Sequence, residues 1–157
     1  MPSAQANRPQ AEGLLLDEQL CFAAYSLAQA FGRVYRPGLE RLGLTYPQYL
    51  VMLVLWEEDN QSVGQIGGKL HLDSGTLTPL LKRLEAAGCV TRQRDTADER
   101  LVRVRLTPAG QELKAGAAEV RKGVACATGL GTGDIGALKD DLIRLRDTLN
   151  STLGSPP

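Results

Sequence analysis

The reading of this chain turns on Asp73–Gly110, "DSGTLTPLLKRLEAAGCVTRQRDTADERLVRVRLTPAG". Asp73 is a good N-cap for a helix over "SGTLTPLLKRLEAAG", and Gly88 is a good place for that helix to stop. "CVTRQR" and "LVRVRLT" then alternate at the strand period, joined by the loop "DTADER". Just upstream, "SVGQIGGKL" reads as a short helix and "HL" as a tight turn. Two helices on a tight turn make a helix-turn-helix, whose second helix reads the major groove. A hairpin directly behind it is a wing. The expected fold is mainly α with a small β-wing, a winged helix-turn-helix over about 46–107.

Working outward, Leu20, Ala24, Leu27, Phe31 and Val34 recur at helical spacing from Leu16, predicting a long helix to about Arg36 that Pro37-Gly38 breaks or turns. Thr45 with Gln48 forms a capping box, with Pro47 tolerated in the first turn. The helix that follows, "YPQYLVMLVLWEED", is apolar nearly all round and belongs at the centre of a core. Past the wing, two further helices are separated by "GLGTG". The expected organisation is a polar, disordered tail over 1–13, one domain over 14–153 and a tail over 154–157. Within the domain, the segments at about 15–37 and 108–153 flank the winged part.

Charge narrows the function. The 157 residues carry eighteen basic and eighteen acidic side chains, but residues 69–105 hold eight basic against five acidic, so a nucleic-acid surface is expected there. One histidine, His71, leaves too few nitrogen ligands for an ordinary zinc enzyme, and no metal or cofactor is expected. His71 itself, at the turn, either touches a phosphate or faces water. No apolar run approaches a membrane span, and "MPSAQANRPQAEG" lacks the layout of a signal peptide. A cytoplasmic protein is expected.

The cysteines Cys21, Cys89 and Cys126 are odd in number and scattered, which fits neither a disulfide framework nor a zinc ribbon. Cys21 is followed by Tyr25, Tyr35 and Tyr46, with Tyr49 close behind. Taken alone, a cysteine on an apolar helix is a small buried hydrophobe. Cys89, after the helix-ending Gly88, suits the core, and Cys126 between Ala125 and Ala127 suits helix packing. Tyr25 is either packing or a further hydrogen-bond donor.

"DSGTLTPLLKRLEAAGCVTR" with "DERLVRVRLTPAG" resembles the recognition helix and wing of the MarR family of transcriptional regulators, over roughly Leu15 to Leu153. Cys21, Tyr35, Tyr46 and "LTYPQYLVMLVLWE" are similar to the family's organic-hydroperoxide-sensing repressors (OhrR), and Cys126 falls where their two-cysteine branch has a resolving thiol. The resemblance implies a homodimer through its N- and C-terminal helices, a pseudo-palindromic double-stranded operator and an organic hydroperoxide as inducer. It implies oxidation of Cys21 to a sulfenic acid and a disulfide with Cys126. Ser74, Thr76, Thr78 and Lys82 would face the major groove. Asp98 and Arg100 match the family's Asp-x-Arg pair, which enters a narrow minor groove. Arg94, with Arg92 and Arg103, would serve phosphates or nothing.

Chemistry supports the thiol assignment, because phenol hydroxyls donate to a thiolate and the thiolate is what attacks a peroxide. Fourteen residues of one helix put Cys21 and Tyr35 about 21 Å apart, so they meet only across a dimer. The alternatives are a MarR-like regulator released by a phenolic small molecule, a thiol peroxidase, and a winged helix that serves only protein contact. The absence of a thioredoxin-like pattern and the presence of a wing argue against the peroxidase.

Overall fold

The computed structural model describes residues 14–153, so the segments expected as tails, 1–13 and 154–157, lie outside the described residues. A 3₁₀ turn at Leu16–Glu18 precedes α1 (Leu20–Glu40) and α2 (Tyr46–Glu57). Then follow β1 (Gln61–Ser62), α3 (Val63–Leu70), α4 (Ser74–Ala86), β2 (Val90–Arg94), β3 (Val102–Leu106), α5 (Pro108–Ala127) and α6 (Thr132–Leu153).

The three strands form an antiparallel sheet in the order β1-β3-β2. Val104 at its centre pairs with Gln61 on one side and Arg92 on the other. The two wing strands match the hairpin expected from sequence. The third strand, only two residues long, carries no periodicity of its own and was not expected.

The first helix departs from expectation at both ends. It starts at Leu20 rather than Leu16, and it runs through Pro37 to Glu40 instead of ending at Arg36. Proline in a helix interior removes one backbone hydrogen bond and crowds the preceding turn. Tertiary packing overrides that cost here. Leu39 is buried in the core, and Gly38 lies so close to Val120 of α5 that a Cβ there would sit 2.8 Å from both valine methyls.

The core is built around α2, whose Val51, Met52 and Leu55 are buried together with Ile66 of α3 and Leu77, Leu81 and Leu84 of α4. Val90 and Val104 seal it from the sheet. Each such side chain contributes about 1.5–3 kcal/mol through burial. Caps fix where the helices begin: Thr45 and Gln48 close the expected box, and Ser62 with Gln65 closes a second. Between α3 and α4 the chain turns through His71 at φ 54°, and a Cβ on Gly67 would meet the Leu72 carbonyl oxygen at 2.7 Å. That close approach makes the tight turn.

The outer helices are different. No side chain of α6 is buried, and Leu138, Leu142, Ile143, Leu145 and Leu149 are all exposed. Leu14, Leu15, Leu16, Leu20, Phe22 and Leu27 at the other end of the chain are exposed as well. Among the described residues, no helix is long and apolar enough to cross a membrane.

Candidate nucleic-acid interface and thiol site

Asp73 caps α4 as expected, accepting from the Thr76 backbone N–H at 2.8 Å. The Thr76 hydroxyl donates to the same carboxylate at 3.2 Å, which turns it toward the cap. These bonds hold the Asp73 carboxyl below its usual range. With Leu77, Leu81 and Leu84 facing inward, Ser74, Thr78 and Lys82 follow one another at i, i+4 and i+8 along one edge of the outward face. Ser74 and Lys82 are exposed and Thr78 is half-buried. Arg83 stands exposed on the other edge beside Thr76; helical spacing alone would have found it.

In the wing, Arg100 grips Asp98 with two prongs, Nε to Oδ1 at 3.0 Å and Nη2 to Oδ2 at 3.1 Å. Its side chain nevertheless stays 89% exposed. The hydrogen bonds from Arg100 hold the Asp98 carboxyl below its usual range, and Asp98 in turn raises the Arg100 guanidinium. Arg100 also lines a cleft of about 280 Å³ with Thr78, Ser62 and Gly64, between the wing and the two helices of the helix-turn-helix.

The other arginines separate clearly. Arg94 is exposed and makes no ion pair among the described residues. Arg92 and Arg103, expected to serve phosphates or nothing, are each paired with an acid. Arg92 is paired with Glu85 at 2.6 Å. Arg103 is paired with Asp95 at 2.6 Å and also donates to the Asn60 carbonyl at 3.2 Å. Both lie on the wing strands, within reach of acids that the linear sequence keeps seven or eight positions away.

Tyr35 of α1 and Tyr46 of α2 come together with ring centroids 5.1 Å apart. Tyr49, which sequence reasoning left without a role, completes the cluster at 5.4 Å from Tyr35 and 6.1 Å from Tyr46. Its spacing of one turn from Tyr46 was the available signal. Burial, and then the neighbouring phenols, raise Tyr35 and Tyr46 above their ordinary range; Tyr49 is raised chiefly by burial. All three therefore remain O–H donors through the pH range in which thiols ionise. Tyr25 is exposed and outside the cluster.

Cys21 is exposed in the first turn of α1, where unpaired backbone N–H groups favour negative charge. Tyr35 lies fourteen residues further along the same helix, about 21 Å away. Cys126 is exposed in the last turn of α5, and Cys89 is buried, where desolvation raises its thiol. Gly38 packs on Val120 and Gly116 on Leu42, so α1 and α5 run antiparallel. That register brings Cys126 level with Gly32, about 16 Å along α1 from Cys21. A disulfide needs Cα atoms about 4.4–6.8 Å apart, so this conformation gives no bond within one chain.

A profile of the SarA/Rot transcriptional regulators matches residues 33–116. The chain is 54% identical to the HTH-type transcriptional regulator TtmR of Methylorubrum extorquens, over 89% of this chain and 72% of that one. It is 42% identical to the organic hydroperoxide resistance transcriptional regulator of Bacillus subtilis, over 86% and 92%. The chain belongs to the MarR family. Like those relatives, this MarR-family protein is a DNA-binding transcriptional regulator and not an enzyme. Its fold matches reduced AbfR bound to DNA with a TM-score of 0.75 at 38% identity, over 89% of this chain and 96% of that one. AbfR is a protein of Staphylococcus epidermidis. The TM-score to disulfide-formed AbfR is lower, 0.62 at 39% identity over 83% and 91%.

Proposed function

We propose that this MarR-family protein is a cytoplasmic, homodimeric repressor that releases its operator when an organic hydroperoxide oxidises Cys21. The observation that carries the reading is the separation of thiol and tyrosines. Tyr35, Tyr46 and Tyr49 form one cluster, yet Cys21 is too far along α1 to reach it within the chain. A second copy supplies what the first lacks.

The exposed apolar side chains of α1 and α6 favour that assembly. A cleft of about 640 Å³ between α1, α5 and α6 is lined by Leu27, Phe31, Val124, Leu138 and Leu142, among others. A dimer covers such a surface, and two-fold symmetry places each Cys21 near the partner's helices. The 42% identity to an organic hydroperoxide resistance regulator supports the choice of inducer.

In the reduced dimer the tyrosine hydroxyls donate to the Cys21 thiolate. The thiolate attacks the terminal hydroperoxide oxygen and the O–O bond breaks, so that sulfur becomes sulfenic acid and the departing alkoxide takes a proton from solvent to leave as an alcohol. The Cys126 thiol of the other subunit then displaces water to form a disulfide. That bond pulls α1 and α5 out of register and changes the spacing of the two α4 helices. Because half-sites lie about 34–36 Å apart, a small rotation releases the DNA. Ser74, Thr76, Thr78 and Lys82 face the major groove, Arg100 held by Asp98 enters the minor groove, and Arg94 meets a phosphate.

A mobility shift on DNA flanking the protein's own gene tests this. Reduced protein is expected to retard the fragment, an organic hydroperoxide to abolish retardation, and dithiothreitol to restore it. Retardation that a phenolic acid abolishes and peroxide does not would contradict the redox reading.

A further inference from the structure

We propose that Asp95 and Arg103 are positioning residues for Arg100, holding the exposed arginine of the wing in the direction it must take into DNA. The proposal rests on the reading of Arg100 as a minor-groove contact.

Arg100 projects from the 95–101 loop, a place where an arginine would ordinarily sample many rotamers. The loop is fixed instead from within. The Asp95 Oδ1 accepts from the backbone N–H of Ala97 at 2.8 Å and of Asp98 at 3.2 Å. Its own N–H donates to the Leu101 carbonyl at 2.8 Å, closing the loop across its base. Its other oxygen, Oδ2, accepts from Arg103 Nε at 2.6 Å. Arg103 then donates through Nη1 to the Asn60 carbonyl at 3.2 Å, on the turn that follows α2. Asn60 holds a second wing residue as well, accepting from Arg105 at 2.9 Å on its side chain.

A continuous set of hydrogen bonds therefore runs from Asn60 through Arg103 and Asp95 to Asp98, and Asp98 grips Arg100. The exposures divide the roles. The Asp95 and Arg103 side chains are 14% and 32% exposed, against 89% for Arg100, so the first two face the molecule and only the third faces outward. Binding that immobilises a long side chain loses its rotamer freedom, and a pre-set arginine has less to lose.

The sign of the effect separates positioning from charge. Asp95 is a carboxylate on a face that meets phosphates, so its removal by Coulomb's law alone tightens binding to DNA. Positioning requires that its removal weakens binding.

The experiment is a double-mutant cycle on the full-length reduced protein and DNA flanking its gene, with dissociation constants measured across salt concentrations. Wild type, Asp95→Asn, Arg100→Ala and the double variant are compared, with thermal melts as folding controls. Asp95→Asn is expected to weaken binding about tenfold in the wild-type background and less than about twofold once Arg100 is absent. Arg103→Lys, which conserves charge but loses the two-pronged reach, carries the same cycle if Asp95→Asn fails to fold. Tighter or unchanged binding by these variants overturns the proposal. So does an equal loss in both backgrounds, while the role of Arg100 survives. Wild-type affinity for Arg100→Ala removes the contact itself and overturns both readings together.

Discussion

Tyr35 and Tyr46 approach to 5.1 Å from two different helices, α1 and α2, and Tyr49 closes the group from one turn beyond Tyr46. The three phenols are partly or fully buried, yet each keeps its proton because burial raises it. A cluster of retained donors with Arg121 beside Tyr35 and Tyr49 is suited to receive an anion from a second molecule.

The tyrosines can be tested without disturbing the core. Tyr35→Phe and Tyr46→Phe delete one hydroxyl each and keep the ring packing. Both are expected to slow alkylation and peroxide oxidation of Cys21 at neutral pH, by about tenfold for one lost hydrogen bond to a charged group. Operator affinity of the reduced protein stays unchanged. Oxidation rates equal to wild type in both variants would mean that the rings only pack.

Arg100→Ala is expected to weaken operator binding about tenfold or more and to lower the salt-dependence slope by about one, with the melting curve unchanged. Asp98→Ala has a milder effect, since it frees the arginine rather than deleting it. Titrations of labelled operator at several salt concentrations measure both.

Acid sensitivity follows from the paired carboxylates. Hydrogen bonds from Arg92, Arg103 and Arg100 are the first cause that holds Glu85, Asp95 and Asp98, respectively, below their usual range. A depressed folded-state value means that the contribution to stability is complete above the ordinary carboxylate value of about 4 and is lost as pH falls through the folded value. These pairs are expected to leave thermal stability flat between pH 5 and 8 and to weaken it below about pH 4. Asp95→Asn should make that acid fall shallower. An acid profile identical to wild type would show that the pair with Arg103 is not retained in solution.

In the proposed mechanism, Cys126 makes the oxidation of Cys21 reversible. Without a partner thiol, a sulfenic acid at Cys21 proceeds under excess peroxide to sulfinic and sulfonic acids, which dithiothreitol does not return. Cys126→Ser is expected to oxidise at Cys21 and then fail to recover DNA binding, whereas wild type recovers. Mass spectrometry of the Cys21 peptide reads the difference directly; full recovery of the variant would remove Cys126 from the mechanism.

Much of this fold was legible because local signals agreed with one another. Asp73 and Thr45 capped the helices that they were expected to cap, and the strand alternation on either side of 95–100 gave the wing. What escaped depended on contacts between distant positions. Pro37 reads as a helix break until Gly38 is seen against Val120. Gln61 and Ser62 become a strand only because Val104 and Arg103 lie opposite. Arg103 looks like a free cation until Asp95 folds back on it. The tyrosine cluster was partly legible: Tyr46 and Tyr49 stand one turn apart in the sequence, but their meeting with Tyr35 needed the crossing of α1 and α2.

Non-reducing electrophoresis after treatment with an organic hydroperoxide tests the central claim most directly. Cys21 and Cys126 lie too far apart for a bond within the chain, so the proposed disulfide is one that joins two subunits. Wild-type protein and Cys89→Ser are expected to run as a covalent dimer that dithiothreitol dissolves, and Cys21→Ser and Cys126→Ser to remain monomeric. A dimer band that survives Cys126→Ser and disappears with Cys89→Ser would contradict the account.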